Sequence, residues 1–376
     1  MGIPSLAGGG AERVLVRLAG GFLARGCHLT AITIFSREHD FYQLPDGVER
    51  VALDLGGPTS GLWPKVAGNL ARVRALRDAL RSAAADVVIS FLTETNVLSL
   101  LAARGLGIPV VVVEQVDPRR HPLARPWRVL RRLTYPRAAR LVSCSAGVDA
   151  AFGWLPAERR RVIFNPLDPI EAEPDPDPSQ PPCPPLPFPW PHTVLGMGRL
   201  EHQKGFDLLI DAFARLAPGF PDWGLAILGE GSLRPRLQSQ IDSRGLADRV
   251  LLPGAVPSAM AAMKQADLFV LSSRYEGFGL TLAEAMACGL AVIAADCPSG
   301  PGEIVRHGHD GLLVAAEDPA ALARAMAELM SDAPQRRRLG VAARQSARRF
   351  DLDEVLPSWE TLLEEVVKGK GLGTRD

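Results

Sequence analysis

The chain has 376 residues, 47% of them hydrophobic, and its 42 basic side chains balance 42 acidic ones. That length exceeds what one hydrophobic core usually holds, so we expect two domains. A net charge of zero argues against a general nucleic-acid binder, and the lack of any run of eighteen apolar residues argues against a membrane-spanning helix.

The cysteines and the N-terminus indicate a cytoplasmic protein. The five cysteines form no C-x-x-C pair and mostly lie among apolar or small residues, as buried thiols in a reducing compartment do. The first residues contain neither the charged nor the apolar segment of a signal peptide. We therefore expect a cytoplasmic location without a secretion signal.

Short apolar strands alternate with amphipathic helices in the first half of the chain. Apolar residues at helical spacing predict one helix over Val14–Phe22 and another over Leu70–Leu80. Only Met1–Leu6 precede the first glycine turn, so we expect the first strand to be short or missing. Further strands are predicted at Leu29–Ile34, Val87–Phe91, Val110–Val113 and Leu141–Ser145.

A proline-rich segment divides the chain. Ten of the eighteen residues from Pro174 to Pro191 are proline, a density that neither helix nor strand tolerates. We predict a linker over residues 171–192, between a first domain of residues 1–170 and a second of residues 193–349. Residues 350–376 are predicted to form a C-terminal helix that packs back toward the first domain.

The second half repeats the strand–helix alternation. Strands are predicted at Val194–Met197, Leu225–Leu228, Val250–Leu252, Leu268–Leu271 and Val292–Ala294. Helices are predicted at Asp207–Leu216, Ser232–Ser243, Ser258–Gln265, Leu280–Cys288, Ala320–Met330, Pro334–Arg349 and Glu354–Val367. The fold class is therefore α/β, with two doubly wound, parallel-sheet, Rossmann-like domains facing a central cleft. Such sheets bind ligands at the carboxyl ends of their strands.

The segment Arg274–Ala287 carries the clearest functional signal. It places Glu276 before a glycine turn and Glu284 eight positions later, on the helix that follows. A strand, a glycine turn and a helix start aim backbone N–H groups at one point, which suits a phosphate. The alternative is an ordinary strand-to-helix connection with two solvated glutamates.

A second signal is a lysine beside a glycine. The segment Val194–Ile210 reads as a strand and a glycine turn, followed by Arg199 and Lys204 ahead of a helix. The chain contains five lysines against thirty-seven arginines. A lysine kept here suggests a task for a compact ammonium group, such as neutralising a diphosphate, although an ordinary surface lysine is the alternative.

An arginine-rich segment follows the fourth predicted strand. No acidic residue occurs between Asp117 and Arg140, and Trp127, Leu130 and Leu133 are interleaved with the arginines. This composition suits an anionic membrane surface or a lipid diphosphate, and a solvated arginine face is the alternative. The arginines are Arg119, Arg120, Arg125, Arg128, Arg131, Arg132, Arg137 and Arg140.

No metal site is expected from the sequence. Two D-x-D patterns occur, Asp175–Asp177 in the proline-rich segment and Asp351–Asp353 at a predicted helix start. Neither follows a strand in a domain core, so we interpret both as chance matches and expect a metal-independent protein without a cofactor.

These motifs resemble a known family. The E-x7-E pattern of Glu276 and Glu284, the R-x4-K-G pattern of Arg199 and Lys204, and the N-terminal Gly9-Gly10-Ala11-Glu12 are similar to those of family four of the retaining GT-B glycosyltransferases, which use nucleotide sugars. The segments Asp86–Asn96 and Trp127–Pro136 resemble bacterial N-acetylgalactosaminyltransferases that extend glycans on polyprenyl diphosphate.

The resemblance implies roles in the second half. Arg199 and Lys204 would hold the donor diphosphate, with Glu276 as the further catalytic residue at the donor sugar. Glu284 would bind the nucleotide ribose. The other implied donor contacts are Gly229 in the nucleotide pocket and the backbone of Gly277, Phe278, Gly279 and Leu280.

In the first half, the resemblance implies that Gly9 and Gly10 bring backbone close to the diphosphate. One departure concerns a histidine that many relatives carry after the fourth strand. Here Gln115 takes that place, and an amide cannot accept a proton as a histidine does. The implied substrate contacts are Gln115, Arg119, Arg120 and His121.

The expected activity is transfer of a sugar, with retention, from a nucleotide sugar to a glycan acceptor. The donor is expected to be uridine-linked, with an N-acetylhexosamine as its sugar. The acceptor is expected to be a polyprenyl-diphosphate-linked glycan of a bacterial polysaccharide or glycoprotein pathway, with peripheral contact to the inner membrane leaflet and no nucleic acid. The alternatives are a nucleotide-sugar-binding module without activity and a nucleotide-sugar 2-epimerase.

Overall fold

The computed structural model describes residues 1–57, 62–121, 123–168, 188–256 and 258–370. These residues form two compact units. The first contains the chain up to Pro166 together with the segment that begins at Leu352, and the second runs from Leu167 to Asp351. Residues 171–187 of the predicted linker, and with them the Asp175–Asp177 pattern, lie outside the described residues.

The described part of the first unit contains a seven-stranded parallel sheet in the order β3-β2-β1-β4-β5-β6-β7. Every residue of β4 and β5 is buried, and all are apolar except Ser90 and Glu114, because both faces of a parallel sheet are covered. β1 is present but has two residues, and it pairs with both β2 and β4. The strands are β1 Gly2–Ile3, β2 Thr30–Thr33, β3 Glu49–Ala52, β4 Val88–Phe91, β5 Val110–Glu114, β6 Arg140–Ser143 and β7 Arg160–Val162.

Helices connect these parallel strands, as the crossovers of such a sheet require. Buried α1 side chains such as Val14, Leu15 and Leu18 belong to the same core as Phe91 and Val111 of the sheet. The helices are α1 Gly10–Ala24, α2 Leu62–Ser82, α3 Thr93–Ala102, α4 Arg125–Thr134 and α5 Ala146–Asp149.

Within the described residues, the second unit contains a six-stranded parallel sheet in the order β10-β9-β8-β11-β12-β13. Its strands are β8 His192–Met197, β9 Trp223–Leu228, β10 Val250–Gly254, β11 Leu268–Leu271, β12 Ala291–Asp296 and β13 Leu312–Ala315. Its helices are α6 Phe206–Leu216, α7 Arg234–Ser243, α8 Ala259–Lys264, α9 Leu280–Ala287, α10 Pro301–Ile304, α11 Pro319–Ser331 and α12 Ala333–Ala347.

The last helix, α13 Leu352–Lys370, returns to the first unit and packs on α1. Gly21 of α1 faces Leu352 and Leu356, and Trp359 is buried in the core of that unit. The Arg25 guanidinium lies 3.2 Å from Glu360 Oε1. An apolar contact flanked by an exposed ion pair therefore fixes the helix.

Both sheets reverse their strand order at an internal point, between β1 and β4 in the first unit and between β8 and β11 in the second. The predicted fold class of two doubly wound parallel sheets is confirmed. At each reversal the loops after the two neighbouring strands diverge, which opens a crevice at the carboxyl edge of the sheet. Arg199 and Lys204 follow β8, and Glu276 follows β11.

Candidate functional site

Lys204 and Glu276 meet at the strand-order reversal of the second unit. Lys204 Nζ donates a hydrogen bond to Glu276 Oε1 at 2.6 Å, and the two side chains are only 14% and 6% exposed. The residues are 72 positions apart in the chain. They meet because β8 and β11 are neighbours in the sheet. The structure thus brings together two of the three predicted catalytic residues.

Neighbouring groups fix Glu276 in place. Ser273 Oγ donates to the same carboxylate oxygen at 2.6 Å, and Ser299 Oγ donates to the Glu276 carbonyl. Gly205 has a left-handed φ of 63°, and a Cβ there would lie 2.1 Å from the Ser272 carbonyl oxygen. A glycine is therefore required where the two loops touch.

Helix α9 begins directly after this loop. Gly279 is its N-cap, with a left-handed φ of 100°, and Leu280 is its first residue. The first turn of a helix leaves backbone N–H groups without partners inside the helix, and these attract anions. Gly277, Phe278 and Gly279 are buried in the preceding turn, and Glu284 is buried one turn into the helix.

Burial and the negative charge of Glu276 also affect the thiol of Cys297. Burial, and then the negative charge of Glu276, raise the pKa of the Cys297 thiol to about 12. The thiol is therefore uncharged at neutral pH. It lies beside the candidate site as a neutral group and supplies no nucleophile there.

Arg199 and Gly229 occupy the neighbouring loops. Gly229 follows β9 and approaches the backbone of Gly198 closely. Arg199 is exposed. Hydrogen bonds from Ser232 lower the pKa of Glu201, and the positive charge of Arg199 adds to this effect. Within the described residues Arg199 makes no hydrogen bond or ion pair with Lys204 or Glu276.

In the first unit, Gly9 and Gly10 lie at the start of α1. Gly9 is the N-cap, and its N–H donates to the Ala7 carbonyl at 2.8 Å. A Cβ added to Gly10 would meet no described atom within 4 Å, so space is open there. Both glycines follow β1, at the strand-order reversal of their own sheet.

The predicted substrate residues after β5 have protein partners. The side-chain amides of Gln115 and Asn165 exchange two hydrogen bonds, of 2.9 and 2.8 Å. Arg119 binds the buried Asp117 carboxylate through two nitrogens, and its Nη2 lies 2.8 Å from Asp117 Oδ2. Arg120 and His121 are exposed in the following turn.

Several residues of these sites were not identified from the sequence. Glu114 is 2% exposed, accepts a hydrogen bond from Tyr135 and one of 2.9 Å from Thr93, and burial raises its pKa. Asn165 and Ser299 reach their partners from distant segments, so no local pattern marks them. Ser273 lies three positions before Glu276, a spacing that could have been noticed.

The arrangement in the second unit suits a diphosphate. It combines an ammonium group, the N-terminus of a helix and a carboxylate at a sheet crevice. In the part of the chain that is described, no three His, Cys, Asp or Glu side chains gather in a way that could hold a metal ion. Over the same residues, no helix has the length and apolar character needed to cross a membrane.

The two halves match separate family models. Residues 9–168 match the glycosyl transferase 4-like domain, and residues 188–346 match the glycosyl transferases group 1. A Campylobacter jejuni protein, named GalNAc-alpha-(1->4)-GalNAc-alpha-(1->3)-diNAcBac-PP-undecaprenol alpha-1,4-N-acetyl-D-galactosaminyltransferase, is 30% identical over 368 residues, which cover 97% of each chain. A lipopolysaccharide core biosynthesis mannosyltransferase of Rhizobium meliloti is 39% identical over 145 residues, which cover 37% of this chain and 41% of that protein.

Solved structures share the fold. Anabaena Alr3699/HepE, in complex with UDP and glucose, has a TM-score of 0.78 at 22% identity, over 97% of this chain and 98% of that one. The sucrose-phosphate synthase of Thermosynechococcus elongatus has a TM-score of 0.77 at 20% identity, over 96% and 94%.

The two doubly wound parallel sheets, shared with these solved structures, have the architecture of the GT-B glycosyltransferase fold. With the two family models and the relative matched along its whole length, the chain belongs to family four of the GT-B glycosyltransferases.

Proposed function

We propose that this chain transfers a sugar, with retention of anomeric configuration, from a uridine-diphosphate sugar to a glycan carried on polyprenyl diphosphate. The observation that carries the proposal is the Lys204–Glu276 pair in front of the N-terminus of α9. It is supported by the acceptor in the name of the Campylobacter relative and by the UDP in the Anabaena complex. The relative's name also favours an N-acetylhexosamine as the sugar.

The pair is suited to a diphosphate leaving group. Cleavage of the bond between the anomeric carbon and the diphosphate oxygen leaves negative charge on that oxygen. Lys204 and the first N–H groups of α9 would stabilise this charge. The acceptor hydroxyl would form the new bond on the same face of the sugar and pass its proton to the departing diphosphate. This reaction needs no protein nucleophile and, since Lys204 supplies the positive charge, no divalent metal.

Glu276 would have two successive partners. Without donor it neutralises Lys204, because a largely buried ammonium group without a partner would be costly. With donor bound, Lys204 would share its hydrogen bonds with the diphosphate, and Glu276 would accept hydrogen bonds from the sugar hydroxyls. Glu284, which is buried one turn into α9, would accept hydrogen bonds from the ribose.

The exposed surface of helix α4 supports the proposal that the acceptor is bound at a membrane. Val129 and Leu133 lie four residues apart on this helix and are 57% and 60% exposed. Arg125, Arg128 and Arg132 are exposed around them. Apolar side chains set among arginines suit the interface of an anionic membrane. We propose that the first unit contacts the inner leaflet through α4.

Donor hydrolysis without acceptor tests the activity. Radiolabelled UDP-N-acetylgalactosamine, UDP-glucose and GDP-mannose are incubated with the protein in EDTA, and free sugar is measured. We expect slow hydrolysis of a uridine-linked donor, a loss of about 10²–10³-fold in Lys204→Ala, and loss of detectable hydrolysis in Glu276→Gln. Glu328→Gln is the control, because Glu328 is an exposed residue of α11 away from these loops.

The outcomes separate the alternatives. A binding module without activity would bind uridine diphosphate but release no sugar from any donor. A 2-epimerase would invert the configuration at C2 of the sugar, which the released product reveals. Either result, or full activity in Glu276→Gln, would refute the proposal.

A further inference from the structure

Arg274 joins the two loops that carry Lys204 and Glu276. Its side chain is 11% exposed, and it binds the Asp207 carboxylate with two nitrogens, Nη1 to Oδ1 at 2.8 Å and Nη2 to Oδ2 at 2.6 Å. Nη1 also donates to the His202 carbonyl at 2.9 Å. Nε lies 3.5 Å from Glu317 Oε2. One guanidinium thus holds both sides of the turn that contains Lys204.

The backbone around Arg274 makes a second set of contacts to the same turn. The Arg274 N–H donates to the Gln203 carbonyl at 2.8 Å, and Gln203 Nε2 donates to the Tyr275 carbonyl at 3.0 Å. The Ser272 hydroxyl donates to the Lys204 carbonyl at 2.9 Å. The backbone of Lys204 is therefore fixed relative to the loop that ends at Glu276.

We propose that Arg274 is a positioning residue, which sets the distance between Lys204 and Glu276 and so holds the ammonium group where the donor diphosphate binds. This inference rests on the proposed function. Stabilisation by preorganised charge depends on geometry, and a misplacement of about 1 Å can cost on the order of 10²-fold in rate. Arg274 would act through Lys204 and not on the donor itself. Its own nitrogens bind Asp207, His202 and Glu317.

Arginine suits this role better than lysine does. The planar guanidinium can bind one carboxylate with two nitrogens while it donates to a carbonyl on the same side. A lysine could keep the charge and one contact to Asp207 but could not hold both groups in fixed directions. The Arg274→Lys variant should therefore fall between the wild type and Arg274→Gln.

A double-mutant cycle tests the inference. Donor hydrolysis and the Kd of uridine diphosphate are measured for the wild type, Arg274→Gln, Lys204→Ala and the double variant. We expect Arg274→Gln to lower hydrolysis at least tenfold when Lys204 is present. In the Lys204→Ala background the same substitution should lower it less than twofold, because Arg274 acts by positioning Lys204. Thermal unfolding establishes that each variant is folded at the assay temperature.

The control is Arg244→Gln. Arg244 lies 2.8 Å from Asp211, which is one turn beyond Asp207 on the same helix α6, and it contacts neither loop. This variant should match the wild type in hydrolysis and in Kd. If Arg274→Gln does not fold, Asp207→Asn takes its place in the cycle, since it weakens the same Arg274–Asp207 contact by removing the carboxylate charge.

The outcomes are distinct. Wild-type turnover in Arg274→Gln, or the same fold-loss with and without Lys204, would overturn the positioning role and leave the proposed function intact. A wild-type protein that neither binds uridine diphosphate nor hydrolyses a donor would overturn the proposed function, and this inference with it.

Discussion

Lys204 and Glu276 neutralise each other at a depth where a lone charge would be unstable. Removing one partner of a buried pair typically costs about 3–5 kcal/mol, because the other charge is left without compensation. Part of the effect of Glu276→Ala would therefore be lost stability. Glu276→Gln keeps the shape and one acceptor oxygen for Ser273 and Lys204, so it isolates the lost charge more cleanly.

Cys297 provides a residue-scale test of the buried environment. Its pKa, raised from 9.0 to about 12, leaves roughly a thousandfold less thiolate at pH 8 than an ordinary thiol has. We expect iodoacetamide to modify the exposed Cys27 at pH 8 and to spare Cys297 until urea unfolds the protein. Peptide mass spectrometry measures both. Equal modification of the two cysteines in the folded protein would show that the site is open and hydrated.

The raised pKa of Cys297 also makes the stability of the fold depend on pH at alkaline values. Because the folded protein disfavours the thiolate, the contribution of Cys297 to the free energy of unfolding is full below pH 9 and is lost as the pH rises toward 12.

Single residues differ in how well the sequence predicts them. Lys204 could be identified because lysine is rare in this chain and a glycine follows it, and Glu276 because a glycine turn and Glu284 follow it. Arg274 could not be identified from the sequence. Its partners Asp207 and His202 lie about seventy positions away, and another arginine in an arginine-rich chain carries no local signal.

At the scale of elements, the inner strands other than β1 and the edge strand β10 were predicted, whereas the edge strands β3, β7 and β13 were not. β4, β5 and β11 are buried along their whole length and apolar except for Ser90 and Glu114, whereas β3 reads Glu-Arg-Val-Ala and β7 reads Arg-Arg-Val. Both mixed strands lie at sheet edges, where one side is exposed and the apolar pattern disappears. β1 was hard to predict for another reason, since its two residues form no pattern at all.

We predict that the exposed apolar residues of helix α4 contribute to membrane binding. Replacing both Val129 and Leu133 with glutamine removes the exposed apolar pair and keeps every arginine. Burial of such side chains in a membrane interface is worth about 1.5–3 kcal/mol each at most, so binding to vesicles with anionic lipid should fall at least tenfold. Co-sedimentation with phosphatidylglycerol vesicles measures this.

Val341→Gln is the matched control, because Val341 is 72% exposed on the arginine-rich helix α12 of the other unit. A wild type without preference for anionic lipid, or an equal loss in Val341→Gln, would remove α4 as the membrane contact.

At the scale of the molecule, the two doubly wound sheets follow from two runs of strand–helix alternation. The site lies where the strand order of the second sheet reverses. Locating it requires the order β10-β9-β8-β11-β12-β13, which the sequence does not reveal. The sequence placed Lys204 and Glu276 after different strands, and only the pairing of β8 with β11 makes those loops neighbours.

A crystal structure of the protein with uridine diphosphate tests the central claim most directly. We expect the diphosphate at the start of α9, with Lys204 Nζ and the Leu280 and Thr281 N–H groups within hydrogen-bond distance of its oxygens and the ribose against Glu284. A nucleotide bound elsewhere, with Lys204 still held by Glu276 alone, would contradict the proposed donor site and the activity assigned to it.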